Sequence, residues 1–152
     1  MRDLGVREWA SKPLGDGRVR CLGFSFHDDF DAFKEIVDAY DWTFCQIQYN
    51  LLDENYQAGK EGLRYAHEKG LGVIVMEPVR GGKLAKNVPE EVMNIYGSVD
   101  PDRTPAQWAL RWVWDQPEAG LVLSGMHTME DVVQNLEAAE TGDPVSLSPE
   151  ER

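Results

Sequence analysis

Four short apolar runs alternate with amphipathic helical stretches along this chain, and this alternation restricts the fold more than any other feature of the sequence. The runs cover residues 19–25, 44–49, 71–76 and 120–124. The run at 71–76 is apolar throughout, which is typical of a strand that is covered on both faces, as in a parallel sheet. Strands that alternate with helices pair in parallel through right-handed crossovers. We therefore predict an α/β fold built from four βα units.

The helical stretches begin and end at recognisable residues. The candidate N-caps are Asp28 or Asp29, Thr104 and Thr128. Thr104 is followed by Pro105 and by Gln107, which together form a capping box with proline at the first helical position. A helix over 57–69 stops at Gly70, and a short helix lies near 89–95. In the last helix, we expect Val132, Val133 and Leu136 to face inward.

Composition narrows the class of protein. Fifteen basic against 27 acidic residues give a net charge of −12, which argues against binding to nucleic acid or to an anionic membrane surface. No apolar run approaches the ~18 residues of a membrane span, and the N-terminus has no signal-peptide core. The cysteines, Cys21 and Cys45, both fall in predicted strands. This excludes a disulfide scaffold or a cysteine-rich metal site, and a reducing cytoplasm is expected.

The two ends of the chain carry incomplete helix signals. Residues 6–10 look like the tail of a helix, and residues 148–151, Ser-Pro-Glu-Glu, form a strong helix start close to the last residue. We expect one domain over 1–152, with a helical remnant and linker at 1–18, four βα units at 19–141 and a truncated tail at 142–152. Frayed termini are one interpretation. A piece of a larger protein is the other, and the motifs described next favour it.

Five motifs occur in order along the chain. They are GFSFH at 23–27, CQIQYN at 45–50, MEPVRGG at 76–82, TPAQ at 104–107 with ALRW at 109–112, and SGMHT at 124–128 running to QN at 134–135. In this order they resemble the C-terminal half of the aldo-keto reductases, NADPH-dependent (βα)8 barrels that reduce aldehydes and ketones. The resemblance implies a (βα)4 half of a TIM-type barrel. It is strongest to a branch whose members often add an iron–sulfur domain, but the cysteines for a cluster are absent, so none is expected.

The resemblance also implies a set of cofactor-binding residues. Ser25 and Gln46 would bond the nicotinamide carboxamide, and Met76 would lie under the nicotinamide ring. The loop at 77–84 would cross the pyrophosphate through Glu77, Arg80, Gly81 and Gly82, and Gly125, Met126, Gln134 and Asn135 would hold the adenosine end. The glycines let the backbone approach a phosphate. As alternatives, Ser25 and Gln46 satisfy backbone groups at strand ends, and Glu77 is a salt-bridge partner.

Three positions depart from the family pattern. Phe26 stands where many members have an asparagine that donates to the carboxamide. Gly125 and Asp131 correspond to basic residues that often bind the 2′-phosphate, and the carboxylate of Asp131 would repel that phosphate. The choice between NADPH and NADH therefore stays open.

The family's Asp, Tyr, Lys and His tetrad has no counterpart in these residues, because it comes from the strands that precede those matched here. We therefore predict no catalytic residue, no metal ligand and no turnover by this chain alone. Three functions remain open: a reductase fragment, a nucleotide- or phosphate-binding module, and a subunit that completes a barrel with a second, complementary half-barrel chain. Bare strand edges promote association. We therefore also expect a homodimer that pairs the first strand of one copy with the last strand of the other.

Overall fold

Four parallel strands form a single sheet in the order β1-β2-β3-β4. The computed structural model describes residues 5–152, except for the side chain of Arg7. The strands are β1 (Gly23–Ser25), β2 (Phe44–Gln48), β3 (Gly72–Met76) and β4 (Leu121–Val122). All three neighbouring pairs are parallel, so the prediction of an α/β fold with parallel strands is confirmed.

Six helices accompany the sheet within the described residues. They are α1 (Val6–Gly15), α2 (Phe30–Val37), α3 (Gly59–Glu68), α4 (Glu90–Val99), α5 (Pro105–Trp114) and α6 (Met129–Glu140). The predicted caps form: Asp29 accepts from the N–H of Ala32, and both Thr104 and Thr128 close capping boxes. None of the helices described in residues 5–152 combines the length and apolar character that crossing a bilayer requires.

The hydrophobic core lies between one face of the sheet and the helices. Cys45 and Ile47 of β2 and Val73 and Val75 of β3 alternate with less buried neighbours and are at most 1% exposed. Helices α2, α3 and α5 cover them with Phe33, Leu63 and Val113. Helices α2 and α3 pack closely because Gly62 has no Cβ, which would otherwise lie 3.3 Å from the ring of Phe33 in α2.

The opposite face of the sheet is not covered within the described residues. Ser25, Gln46, Ile74 and Leu121 follow one another in register across the four strands on this face. Leu121 is 48% exposed. In a closed (βα)8 barrel the corresponding face is the packed interior. The sheet therefore corresponds to part of a barrel wall, and the face that would line the barrel interior is open.

Two local predictions were wrong. Cys21 is exposed and precedes β1. Because β2 begins only at Phe44, residues 19–22 have no strand to pair with. Val133 and Leu136 of α6 are 46% and 61% exposed, since nothing described covers that side of the helix. The helix-start signal at 148–151 forms only a turn, in which Ser148 and Glu151 exchange both hydrogen bonds of a capping box.

Candidate functional site

A cleft of about 480 Å³ opens at the carboxyl ends of β3 and β4. Three segments form most of its wall: the loop after β3, the end of β4 with the following turn, and the first turns of α6. Ala106 of α5 completes it. Ligands of parallel α/β sheets bind at the carboxyl ends of the strands, because loops and helix N-termini converge there. The cleft therefore occupies the position at which a functional site is expected.

The loop after β3 has an unusual backbone. Glu77 and Arg80 adopt φ angles of 58° and 50°, and Gly81 and Gly82 adopt 60° and 87°. Glycine tolerates this left-handed region, whereas each non-glycine residue there costs roughly 1–3 kcal/mol unless its surroundings hold it. Such strain concentrates at functional sites. A Cβ on Gly82 would meet nothing within 4 Å, so the loop leaves free space beside its backbone.

A buried polar network holds this loop in place. The side-chain amide of Asn50 donates to the carbonyl oxygen of Glu77 (3.1 Å) and to Oδ2 of Asp53 (3.0 Å). The same Oδ2 accepts from Nε2 of Gln48 at 3.1 Å and lies 3.0 Å from Nε of Arg80. Asn50 is fully buried and Asp53 is 8% exposed. The segment after β2 therefore holds Glu77 and Arg80, the first two left-handed non-glycine residues after β3.

Sequence reasoning did not identify Asn50 and Asp53 as site residues. The available signal was their position, since Asn50 directly follows the apolar run at 44–49 and Asp53 lies three residues further along. Polar residues at the carboxyl end of a barrel strand are candidates for function.

The N-terminus of α6 forms the far wall of the cleft. The backbone N–H groups of His127 and Thr128 both donate to Oδ2 of Asp131, each at 3.0 Å. The N–H of Asp131 in turn donates to Oγ1 of Thr128 at 3.1 Å. The hydrogen bond from His127, then those from Thr128, hold the pKa of Asp131 below its usual range, and the charge of Lys86 acts in the same direction. Asp131 is therefore a carboxylate at neutral pH.

The cleft brings together most of the residues that the sequence analysis singled out. Those that line it are Met76, Glu77, Gly81, Gly82, Gly125, Gln134 and Asn135. The amide of Asn135 donates to Oγ of Ser124 at 2.8 Å, which fastens α6 to the end of β4. Lys86 and His127 also line the cleft and were not predicted.

Four predicted residues lie outside the cleft wall. Ser25 and Gln46 are register neighbours on the open face of the sheet, and Nε2 of Gln46 lies 3.5 Å from Sδ of Met76, which does line the cleft. Met126 is 45% exposed. Arg80 pairs with Asp53, so its charge is partly neutralised within the chain. Glu77 makes no ion pair with any described side chain, so the salt-bridge alternative finds no partner.

A family model described as "Aldo/keto reductase family" matches residues 12–145. The match covers all four strands and the whole wall of the cleft. The chain belongs to the aldo/keto reductase family. Among curated relatives, it is 28% identical over 124 residues to an uncharacterized oxidoreductase of Schizosaccharomyces pombe, covering 82% of this chain and 38% of that protein. An aldo-keto reductase of Fusarium vanettenii is 32% identical over 87 residues, covering 54% and 23% of the two chains.

Solved structures agree with this family assignment. The holo form of the aldo-keto reductase AKR11C1 from Bacillus halodurans superposes with a TM-score of 0.74 at 25% identity. The superposition covers 93% of this chain and 51% of that one. Our chain therefore spans about half of the solved reductase and less than half of the curated relatives.

Proposed function

We propose that this chain provides the NAD(P)H-binding half of an aldo-keto reductase-like oxidoreductase. The observation that carries the proposal is the cleft of about 480 Å³ at the ends of β3 and β4. Most of the residues implied by family resemblance line this one cleft. When bound, a nicotinamide dinucleotide supplies the hydride for the reduction of a carbonyl.

The residues present fit such a ligand. Gly82 and Gly125 have no atoms within 4 Å of where a Cβ would stand, so backbone and pyrophosphate could approach closely there. Lys86 supplies a cation within the wall, while Gln134 and Asn135 carry amides toward the adenosine end. Gln46, adjacent to Met76, would bond the nicotinamide carboxamide with Ser25, its neighbour across β1 and β2.

Reduction also requires a proton donor, and we propose that these 152 residues do not contain one. Tyr49 follows β2, but its ring packs against Trp112 in the helix layer at a centroid distance of 5.2 Å. Its side chain is fully buried, and burial raises the pKa of its phenol further from neutrality. An effective general acid has a pKa close to the working pH and reaches the substrate, and Tyr49 meets neither requirement.

Titration with NADPH and NADH, followed by cofactor fluorescence, tests the binding proposal. We expect saturable binding in the micromolar range. Lys86→Ala should weaken binding of both dinucleotides, whereas Lys34→Ala, on the distant helix α2, removes the same charge and should leave binding unchanged. No binding at millimolar concentration of either cofactor would overturn the proposal. Oxidation of a reduced cofactor by the 152-residue chain with an aldehyde would contradict the absence of turnover.

A nucleotide- or phosphate-binding module without a redox role is the second candidate. The same cleft supports it, since the part of the wall formed by Gly81, Gly82 and Lys86 suits a phosphate regardless of any nicotinamide. The two candidates differ in what they bind. A redox half-barrel should bind NADH more tightly than ADP, because Ser25, Gln46 and Met76 add contacts to the nicotinamide, whereas a phosphate module should bind both equally.

The open face and bare edges support association with a second (βα)4 unit. Leu121 and Leu123 are 48% and 41% exposed at the end of β4, and Val133 and Leu136 of the following helix α6 are exposed as well. We propose a homodimer, with a complementary half-barrel chain as the alternative partner. Light scattering of the purified chain at about 20 µM distinguishes these outcomes, since a strict monomer would contradict the homodimer.

A further inference from the structure

One end of the cleft already contains an anion that belongs to the protein. The side chain of Asp131 turns back over the start of α6, and its Oδ2 accepts hydrogen bonds from the N–H groups of both His127 and Thr128. Helix N-termini attract external phosphates because such N–H groups are unpaired and the helix dipole is positive there. Here the side chain of the helix itself takes that place.

The remaining charges around this end do not reverse the effect. The charged or titratable residues of the cleft wall are Glu77, Lys86, His127 and Asp131. Glu130 adds a further carboxylate in the first turn of α6. At the first turn of α6 the carboxylates of Glu130 and Asp131 therefore outnumber the lysine, and a negative group placed beside Asp131 would meet net repulsion.

Asp131 keeps one oxygen available. Its Oδ2 accepts both N–H groups, while its Oδ1 has no hydrogen-bond partner in the described part of the chain. A carboxylate oxygen at the wall of a nucleotide site can accept a hydrogen bond from a ribose hydroxyl, which is how acidic residues select NAD in other folds. A phosphate at the same carbon carries about −1.5 to −2 charges at neutral pH and no comparable donor.

We propose that the cleft binds the dinucleotide whose adenosine ribose carries a free 2′-hydroxyl, NAD(H), in preference to the 2′-phosphorylated NADP(H), and that Asp131 determines this choice. The inference rests on the proposed function, because it concerns the adenosine end of the same cleft. Repulsion between one carboxylate and the phosphate in a half-exposed wall corresponds to about tenfold in affinity.

Paired titrations of NADH and NADPH test the inference. We expect NADH to bind about tenfold more tightly to the unchanged chain, and Asp131→Asn to reduce this ratio to below about threefold by tightening NADPH. The asparagine keeps an oxygen for the N–H groups of His127 and Thr128, so the start of α6 is preserved. Asp143→Asn, an exposed carboxylate beyond the other end of α6, should leave the ratio unchanged.

A second measurement requires no variant. Raising the salt concentration from about 50 to 500 mM shortens the screening length, so the NADH:NADPH affinity ratio should fall. Equal or tighter binding of NADPH at low salt, or a ratio that Asp131→Asn leaves unchanged, would overturn the inference while the proposed function stands. Failure of both dinucleotides to bind would instead overturn the proposed function and this inference with it.

Discussion

Replacing Asp53 with alanine should both destabilise the chain and loosen the loop at 77–82. The carboxylate of Asp53 is the common acceptor of a network, since its Oδ2 lies 3.1 Å from Nε2 of Gln48, 3.0 Å from Nδ2 of Asn50 and 3.0 Å from Nε of Arg80. The change removes the acceptor of three donors at once. The amide of Asn50 would then keep only its hydrogen bond to the carbonyl oxygen of Glu77.

The size of the effect follows from the burial of each partner. A hydrogen bond to a charged group contributes roughly 1.5–3 kcal/mol when its loss leaves a buried donor unpaired, and this applies to Asn50, which is fully buried. The side chain of Arg80 is 43% exposed and can turn to water, so its share is at most about 1 kcal/mol. We therefore expect Asp53→Ala to lower the free energy of unfolding by about 2–4 kcal/mol.

Urea unfolding followed by tryptophan fluorescence measures this loss, and hydrogen exchange of the loop amides reports on its location. The amides of Arg80 and Gly82, which donate to the carbonyls of Glu77 and Val79, should exchange faster in the variant. Asp38→Ala is the matched control, because Asp38 also accepts from two side chains but lies at the surface, so its loss should be far smaller. A change of less than about 1 kcal/mol for Asp53→Ala, or unaltered loop exchange, would refute the role assigned to the network.

Three further outcomes follow from single residues. A thiol-reactive disulfide reagent should modify only Cys21 in the native chain and both cysteines after denaturation, because Cys45 is fully buried and burial raises its pKa to about 12. Gly23→Ala should destabilise the chain by about 1–3 kcal/mol in urea unfolding, since the new Cβ would lie 2.5 Å from the carbonyl oxygen of Phe44. Burial favours a raised pKa for Asp115, but hydrogen bonds from Arg152 and a backbone N–H outweigh it and hold the pKa below 3.8. The stabilisation from this depressed pKa is complete above pH 3.8 and disappears as pH falls further, so Asp115→Asn should cost stability at pH 7 and much less near pH 2 in urea unfolding.

The parts of the fold that could be predicted from the sequence are those that depend on neighbours along the chain. The capping boxes at Thr104 and Thr128 form as expected, because each joins residues only three positions apart. The apolar runs at 44–49 and 71–76 become β2 and β3 because each has the length and the apolar pattern of a strand, with Cys45, Ile47, Val73 and Val75 on the covered face. The family resemblance likewise placed the cleft residues in one region, since its motifs follow directly on these strands.

The clamp on the cleft loop could not be predicted in this way. Whether Asp53 meets Arg80 depends on the register of β2 against β3 and on the left-handed backbone at Glu77 and Arg80. Local sequence favours glycine at such φ angles and so does not indicate them at a glutamate or an arginine. The length of β1 depended similarly on its partner, because a strand extends only as far as its neighbour offers residues to pair with.

The exposure of Val133 and Leu136 on α6 adds a different kind of information. An apolar stripe at helical spacing indicates which side of a helix is buried in the assembled protein, without indicating what buries it. Within this single chain Ala138 of α6 is buried, whereas Val133 and Leu136 are 46% and 61% exposed. Isolated apolar residues on a surface are ordinary, but here Leu121 of β4 and Leu123, two residues further along the chain, are exposed as well. A second (βα)4 unit that paired with β4 would cover the strand edge and both apolar sets together, and this supports closure of a barrel over a separate use of either surface.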